Sequence, residues 1–382
     1  MGMDKNIGRI GALAVALGVG VGVVAAPGTA SALPQDAQDR LDAAKQRIED
    51  SKSVSVSVNG KNIIQHGTAT SSANGTNSRA IARGANATAI ADGGDRNIAV
   101  ASGNDSQALA GFGDNNQARA TGQNSLAAAG NGSNNLAIAA RDNSRAQAGT
   151  GNDNRAYANG FSAESIAGGG NGNTAAATGF DSGAFAETGH ANTAIADGSN
   201  AIARTEQGDS NAAKAYGQAA IATIVVGNGN TATAVGDGNH ASVSNGSNNT
   251  AIADGGVNNT AQMSFSNDST ATATAGDRNF ALVDNTTDGH ATAGYGDDNT
   301  ARVELSQNST AQAINGDLNT AHTLIGNSTQ SFAGNGNDNF ATITGTNSYA
   351  FAGDGNLNFA SGSGNNLTVI AGPGDHNVNI QP

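Results

Sequence analysis

The amino-acid sequence predicts an all-β protein, a single elongated β-solenoid with two short parallel strands per coil of 19–20 residues. About 16 such coils follow a short N-terminal helix and hairpin cap. Three observations predict this fold. A phrase N-x-A-x-A-x-G recurs, small and larger residues alternate within it, and Gly, Asn, Asp and Ser separate successive copies. Alternation with a period of two indicates strands, and a fixed repeat of this length is typical of stacked coils.

The composition excludes a chain of thick-cored globular domains. The 382 residues include 54 Gly, no Trp and no Cys, and only 4% are aromatic. Charged residues reach 13%, whereas ~25% is usual in soluble domains. With 4 Pro and so little charge, the chain does not resemble a disordered tract either. A repetitive architecture of small residues remains, and its stability must come from the repeat, because there is no cysteine for disulfides.

Residues 1–32 have the pattern of a secretory signal peptide. Lys5 and Arg9 form a basic start, an apolar run covers residues 10–26, and the sequence ASA at residues 30–32 matches the small-x-small cleavage pattern. A transmembrane anchor is the alternative, but about 17 apolar residues rich in Gly and Ala are short for a bilayer span. We therefore expect a secreted or cell-surface protein whose mature chain has no transmembrane segment.

The chain is acidic, which bears on its partners. The formal net charge is −13, and it becomes −14 without residues 1–32, since Lys5, Arg9 and Asp4 leave with them. This charge argues against nucleic acid and against anionic lipid as partners. Solubility is its simplest explanation.

Residues 33–73 form the predicted cap. The segment 34–51 has apolar residues at helical spacing. Ser and Val alternate over residues 53–58, and Asn59-Gly60 is typical of a tight hairpin turn. We expect this helix and strand cap to cover the first coil, because solenoids need protected ends.

The repeat domain covers residues 74–371, and residues 372–382 form a C-terminal tail. We call the first Ala of each phrase its anchor, starting at Ala80. Anchors follow in alternating steps of 9 and 10 residues, then in steps of 10 from Ala251 to Ala341, and then in 9/10 alternation again. Of the 31 anchors, 28 are Ala. The pattern therefore predicts one continuous stack with two ladders of strands, each of which has Ala facing inward.

The two ladders differ in the second inward residue of each strand. In the ladder that begins at Ala80 this residue is Ala in all sixteen coils. In the other ladder it is Ala only from Ala91 to Ala186. The later residues there are Thr205, Ile224, Val243, Met263, Val283, Val303, Thr323 and Ile343. We therefore predict a thin core in the first half and a wider one in the second, where the extra residue per coil accommodates larger side chains.

Asparagine marks the corners, two residues before an anchor. In the first ladder the positions are Asn97, Asn116, Asn135, Asn154, Asn173, Asn192, Asn211, Asn230 and Asn249. In the other ladder they are Asn239, Asn259, Asn279, Asn299, Asn319, Asn339 and Asn358. These positions share the inward parity of the Ala residues, so we predict a structural ladder of amides that hydrogen-bond along the axis and satisfy the turn backbone. A binding face lined by Asn is the alternative.

The sequence contains no recognisable catalytic constellation, and we assign no catalytic, cofactor-binding or metal-binding residue. The six histidines do not share one line on the solenoid, whereas zinc needs three or four convergent ligands. Carboxylate pairs in a solenoid groove could support glycoside hydrolysis, but Asp and Glu fall mostly in turns. We expect a protein that is not an enzyme and has no cofactor.

Some turns nevertheless resemble those of calcium-binding repeats-in-toxin β-rolls. Gly151–Asn154 (GNDN) and Gly336–Asn339 (GNDN) carry the resemblance. That family repeats Asp every nine residues, whereas the equivalent turns here carry Asp95 and Asp114 but also Ser133. The missing Asp residues argue against regular calcium binding, and occasional single sites in the turns stay open as the alternative.

Outward threonines suggest a ligand-binding alternative. Thr231 and Thr233 lie on one face, as do Thr270 and Thr272. A regular threonine array would suit an ice-binding or polysaccharide-binding surface. Thr is also an ordinary residue of exposed strands.

Outward aromatic residues gather in the last coils. They are Phe332, Phe340, Tyr349, Phe351 and Phe359. Exposed apolar patches often mark association surfaces, so we predict an association patch here. The alternative is that the tail folds back over these residues through Val378 and Ile380.

Two family resemblances bear on function. The phrase Gly227–Ala232 (GNGNTA) resembles curlin repeats, whose GxGNxA turns stack into a functional amyloid. The stretch Ser199–Ala203 (SNAIA) is similar to head repeats of trimeric autotransporter adhesins. Together these resemblances imply a structural or adhesive protein of the cell surface or extracellular matrix that self-assembles into fibres. Its implied partner is a second copy, a cell surface or a polysaccharide. The alternative is a solenoid that binds ice or polysaccharide.

Overall fold

The computed structural model describes residues 53–285 and 287–382, which form an all-β parallel solenoid of 35 strands. This confirms the predicted fold class, with two strands per coil and about 16 coils. The predicted signal peptide and the helix at 34–51 lie outside the described residues. Over the described ranges, no helix has the length and apolar character needed to cross a bilayer.

From β2 onward, successive strands alternate between two sheets that face each other across the core. Sheet A contains β1 (Val54–Val58), β2 (Lys61–His66), β4 (Arg79–Arg83), β6 (Ile98–Ser102), β8 (Gln117–Thr121), β10 (Leu136–Ala140), β12 (Arg155–Asn159), β14 (Thr174–Thr178), β16 (Thr193–Asp197), β18 (Ala212–Tyr216), β20 (Thr231–Val235), β22 (Thr250–Asp254), β24 (Thr270–Thr274), β26 (His290–Gly294), β28 (Thr310–Ile314), β30 (Gln330–Gly334), β32 (Tyr349–Gly353) and β34 (Thr368–Ala371). Sheet B contains β3 (Thr70–Ala73), β5 (Thr88–Asp92), β7 (Gln107–Gly111), β9 (Leu126–Gly130), β11 (Arg145–Gly149), β13 (Glu164–Gly168), β15 (Gly183–Ala186), β17 (Ile202–Gln207), β19 (Ile221–Val226), β21 (His240–Ser244), β23 (Thr260–Ser264), β25 (Phe280–Asp284), β27 (Thr300–Gln307), β29 (Thr320–Asn327), β31 (Phe340–Thr346), β33 (Phe359–Ser363) and β35 (Val378–Gln381).

Equivalent residues of neighbouring coils lie side by side. Within sheet A, for example, Ala118 pairs with Ala137, and Ala137 pairs with Ala156, all in parallel register. The anchors and the second inward residues are buried, while the residues between them face outward. The stack therefore buries a continuous stripe of small side chains and satisfies the backbone of each strand through its neighbours.

Glycine allows the corners of successive coils to approach closely. Gly132 has a φ of +150°, and a Cβ at this position would lie 1.9 Å from the carbonyl oxygen of Gly151 in the next coil. No side chain fits that space. The high glycine content thus follows from backbone stacking at the corners.

The predicted widening of the core is present. Inward residues of sheet B are all Ala or Ser from β5 to β15, whereas Ile224, Met263 and Ile343 are fully buried in the later coils. In this region β27 and β29 extend to 8 residues each. Their ends form a third short parallel ladder at the corner after sheet B, which the sequence analysis did not predict. The ladder consists of Asn267, Thr287, Gln307, Asn327 and Thr346.

The N-terminal end carries the hairpin expected from Asn59-Gly60. Strand β1 pairs antiparallel with β2 across this turn, and on its other side it pairs antiparallel with β4. Inward serines of β1 reach the first strand of sheet B, since Ser55 Oγ lies 2.7 Å from Ser71 Oγ. The hairpin therefore closes this end of sheet A.

The stack extends beyond residues 74–371 at both ends. Strand β3 already pairs with β5, and β35 in the predicted tail pairs with β33 in register, Phe359 with Val378 and Ser361 with Ile380. Val378 and Ile380 point outward and are each 67% exposed. The alternative of a covering tail is therefore wrong. Val378 instead continues the 19-residue spacing of Phe340 and Phe359, so the tail adds a further strand to sheet B.

Candidate functional site

The predicted asparagine ladder lies inside the corners of the solenoid. All fifteen residues of the prediction, together with Asn239, are buried, with at most 1% of each exposed. They are Asn97, Asn116, Asn135, Asn154, Asn173, Asn192, Asn211, Asn230, Asn239, Asn249, Asn259, Asn279, Asn299, Asn319, Asn339 and Asn358. A binding face made of these side chains is therefore inaccessible from outside.

Each amide binds the backbone of the next coil rather than the neighbouring amide. The Oδ1 of Asn135 accepts a hydrogen bond from the backbone N–H of Asn154 at 3.0 Å, and its Nδ2 donates to the carbonyl of Gly151 at 2.8 Å. The same two bonds recur with small changes at each position from Asn97 to Asn230. This differs from the predicted amide-to-amide stacking. The reason is that the corner backbone leaves an N–H and a carbonyl unpaired, and from Asn97 to Asn230 one amide satisfies both. Farther along, the buried Nδ2 of Asn319 has no partner among the described residues.

The ladder changes corners partway along the solenoid. Up to Asn249 it lies on the approach to sheet A, and from Asn239 onward on the approach to sheet B. At the junction, the Oδ1 of Asn249 accepts from the N–H of Ser269, whose smaller side chain takes over that corner. The connection from sheet A to sheet B first carries the ladder at Asn239, where it still has nine residues, and it lengthens to ten one coil later, from Ala251 to Ala261. The change of period therefore follows the transfer of the ladder by one coil.

Sequence reasoning missed a second ladder, on the exposed side of the turns. The N–H of Asp95 donates to Asp114 Oδ1 at 2.8 Å, and the N–H of Asp114 donates to Ser133 Oγ at 3.2 Å. Farther along, the N–H of Asn171 donates to Nδ1 of His190 at 3.1 Å. Asp, Asn, Ser and His can replace one another here because each offers one acceptor atom. This explains the mixed composition of the turns that resemble β-rolls.

The carboxylates of this outer ladder are thus engaged with the backbone of the neighbouring coil. Asp277, Asp297 and Asp317 follow one another in the second half, and the N–H of each of the first two donates to the carboxylate of the next at 2.8 Å. Over residues 53–285 and 287–382, no group of three or more His, Cys, Asp or Glu side chains is arranged to hold a metal ion.

The residues of the predicted association patch fall into two strips on opposite sheets. On sheet A, the rings of Phe332 and Phe351 stack with centroids 5.2 Å apart, and Tyr349 lies on the same outward face. On sheet B, the rings of Phe340 and Phe359 stack at 5.0 Å. The structure therefore brings each pair together but places the two pairs on opposite faces. Burial raises the pKa of Tyr349, and Asp354 adds to this effect.

A further aromatic pair was not predicted. Phe161 and Phe180 occupy equivalent turn positions one coil apart, and their rings stack at 5.6 Å while both remain exposed. Their separation of 19 residues, which is one coil, is the sequence feature that could have revealed this pair. A second apolar feature is the exposed corner pair Leu305 and Ile325, which borders a shallow hollow beside the third ladder.

One ion-pair group lies on the outward face of sheet B in the wider half. Arg302 Nη2 lies 2.5 Å from Glu304 Oε1, and His322 Nε2 lies 3.6 Å from the same oxygen. Burial lowers the pKa of His322, and the Glu304 carboxylate opposes that effect. These three side chains come from two adjacent strands, β27 and β29.

Thr205 is the first enlarged inward residue of sheet B, and its buried Oγ1 has no hydrogen-bond partner among the described residues. We expect Thr205→Val to raise the free energy of unfolding by about 1 kcal/mol, because the shape is kept while an unpaired buried hydroxyl is removed. Urea unfolding followed by circular dichroism measures the change. Thr323→Val is the matched control. It should destabilise the protein, since Thr323 Oγ1 donates to the carbonyl of Thr310 at 3.0 Å. A stability gain in both variants would contradict the explanation.

Comparison with known proteins adds no family to this description. No protein-family model matches the chain, and neither a curated protein nor a solved structure shows significant similarity to it.

Proposed function

We propose that the protein is an exported, non-enzymatic structural or adhesive element of the cell surface or extracellular matrix. The observation that carries this proposal is the uninterrupted stack of about 16 coils built on one plan. Outward residues of such a stack form long columns, and a repeated surface of this kind suits many weak contacts with a surface or polymer rather than one concave catalytic site. The signal-peptide pattern of residues 1–32 supports export.

Self-association is part of the proposal. The likeness of Gly227–Ala232 to curlin repeats suggests assembly through stacked coils. The aromatic strips of the last coils supply apolar surface next to the end of the stack. We take end-on contact between solenoids as the mode of assembly.

Two measurements test export and adhesion. When the full sequence is expressed in a bacterial host, we expect a mature chain that begins at Leu33 outside the cytoplasm, read by mass spectrometry of the fractions. Beads coated with the purified mature protein should bind bacterial cells or cell-wall polysaccharide more than albumin-coated beads do. Retention of an uncleaved chain in the cytoplasm, together with bead binding no better than albumin, would contradict the proposal.

A second candidate is an ice-binding or polysaccharide-binding surface on sheet A. Thr231, Thr250 and Thr270 lie in register on successive strands, and Thr272 and Thr292 continue a parallel column. Such a column presents hydroxyl and methyl groups at the spacing of the strands. Thermal hysteresis or glycan binding that is lost in Thr270→Lys, but kept when Lys replaces Thr300 on sheet B, would favour this candidate.

A further inference from the structure

The two ends of the solenoid differ in how their edges are protected. At the N-terminal end the outermost strand of sheet A is β2, which belongs to an antiparallel hairpin, is exposed along its whole length and carries Lys61 and His66. Charged side chains and a change of strand direction are common ways of blocking an edge against further pairing. In sheet A the N-terminal edge is thus unsuited to continue the parallel stack. In sheet B the carbonyl of Ser71 in β3 accepts from the hydroxyl of Ser57 in the hairpin at 3.0 Å, so the hairpin covers this edge as well.

The C-terminal edge has no comparable protection among the described residues. Strand β34 pairs with β32 and β35 pairs with β33, and neither has a strand on its other side. The backbone N–H and carbonyl groups that face this open side can be identified from the preceding coil. There, the N–H of Tyr349 donates to Leu367 and that of Phe359 to Asn377, both at 2.8 Å.

By register, Thr368 is the equivalent of Tyr349, and Val378 is the equivalent of Phe359. Their N–H groups therefore point to the open side. One edge carbonyl is already satisfied, since Asn379 Nδ2 donates to the oxygen of Ile370 at 2.9 Å. The remaining groups need water or another strand.

The terminal strands also lack the side chains that discourage pairing. Residues 368–371 read TVIA and residues 378–381 read VNIQ, with no charge and no proline. No Lys or Arg follows Arg302 in the sequence. Uncharged strands rich in β-branched residues at an open edge favour the addition of a further strand.

Two apolar columns run into this edge. On sheet A, Phe332 and Phe351 lead to Ile370, and on sheet B, Phe340 and Phe359 lead to Val378. In the two coils before, the same columns carry polar residues, Thr292 and Gln312 on sheet A and Thr300 and Thr320 on sheet B. The apolar surface thus adjoins the open edge and ends there.

The geometry points to a second copy of this chain as the occupant of that edge. We propose that two molecules join through their C-terminal ends, where β34 and β35 pair antiparallel with the terminal strands of the second copy. Antiparallel addition has a precedent at the other end, where β1 pairs antiparallel with β4. Both apolar columns then continue across the junction. Since the N-terminal edge is blocked, the contact is two-fold and closes as a dimer instead of growing into a fibre.

This inference rests on the self-association in the proposed function and gives it a defined form. It changes the expectation of open fibres to one of paired solenoids. The N-terminal ends then point away from each other.

Sedimentation of the purified mature protein over a range of concentrations tests the dimer. We expect a mass twice that of one chain. Ile370→Lys should raise the dimer dissociation constant at least tenfold, because a charge enters the apolar junction. Lys is compatible with this column, which contains Lys214. Thr368→Pro, which removes an N–H of the open edge, should have the same effect and is independent of charge.

Two controls locate the contact. Ile252→Lys changes the same outward column in mid-stack, and Ile63→Asp changes the N-terminal hairpin. Both should leave the dimer intact. A monomeric wild-type protein, an assembly that keeps growing with concentration, a dimer that survives both edge variants, or dissociation by Ile63→Asp would each overturn the proposal.

The adhesion measurement separates this proposal from the proposed function. If Ile370→Lys is monomeric and its beads still bind cells, the dimer and the adhesive function are both supported and are independent. If the wild-type protein is dimeric but its beads do not bind, the adhesive function fails while the dimer stands.

Discussion

Replacing Asn154 by Ala is expected to lower the free energy of unfolding by about 3 kcal/mol. The side chain is fully buried, its Oδ1 accepts from the N–H of Asn173 at 2.9 Å, and its Nδ2 donates to the carbonyl of Gly170 at 2.8 Å. Alanine leaves the buried N–H of Asn173 and the partly buried carbonyl of Gly170 without a partner, and a buried group in that state costs about 1–3 kcal/mol. Urea unfolding of the variant and the wild type measures the difference.

Two variants test whether burial is the cause. Asn152→Ala removes an exposed amide of the outer ladder, which accepts from the N–H of Ser133 at 2.8 Å, and water can replace that bond. We expect a loss of about 0.5 kcal/mol there. Asn154→Asp keeps the acceptor but faces the Gly170 carbonyl with a buried carboxylate, so it should be at least as damaging as Ala. Equal effects at Asn152 and Asn154 would contradict a structural role for the inner ladder.

Ala139→Leu is expected to destabilise the thin half of the core by about 3 kcal/mol or more. Strand β10 packs against β9 and β11, whose inward residues are all Ala, and Ala139 itself is fully buried. No smaller neighbour can make room, and overpacking of close-packed cores costs typically about 1–3 kcal/mol and occasionally more. To admit the larger side chain, the two sheets would have to move apart, although they are held in register along the whole stack.

The wider half provides the control. Val283 is fully buried in β25, next to Met263 and Val303 in sheet B, and Val283→Leu changes the volume by one methylene. We expect a loss below about 1.5 kcal/mol. Unfolding of both variants by denaturant gives the comparison. If Ala139→Leu proved as mild as Val283→Leu, the division of the core into a thin and a wide half would be wrong.

Much of the fold could be predicted because the repeat reports on every coil. The alternation of Ala with outward residues specifies the strands, and the change at Thr205 locates the widening of the core. The third ladder at Gln307 and Asn327 could not be predicted. Its residues lie outside the alternation of inward and outward residues, and their pairing depends on how closely the corner backbones approach.

The polar ladders show a different limit. Parity placed Asn135 inside the corner, but the hydrogen-bond partners depend on which backbone groups the turn leaves unpaired, and spacing does not reveal these. The outer ladder was harder still, because Ser133 and His190 replace Asp without changing the bond that the backbone N–H makes. In the last coils, outward parity identified Phe351 and Phe359. Only the register of β35 showed that Val378 continues the second strip.

Distances between spin labels test whether each coil stacks on the next. The chain has no cysteine, so Cys pairs can be introduced at Gln117 and Thr193, four coils apart, and at Gln117 and Thr250, seven coils apart. At ~4.8 Å per strand spacing, we predict separations of about 19 Å and about 34 Å plus a common label offset. Two narrow distributions that differ by about 14 Å would support the solenoid. Equal or broad distributions would contradict it.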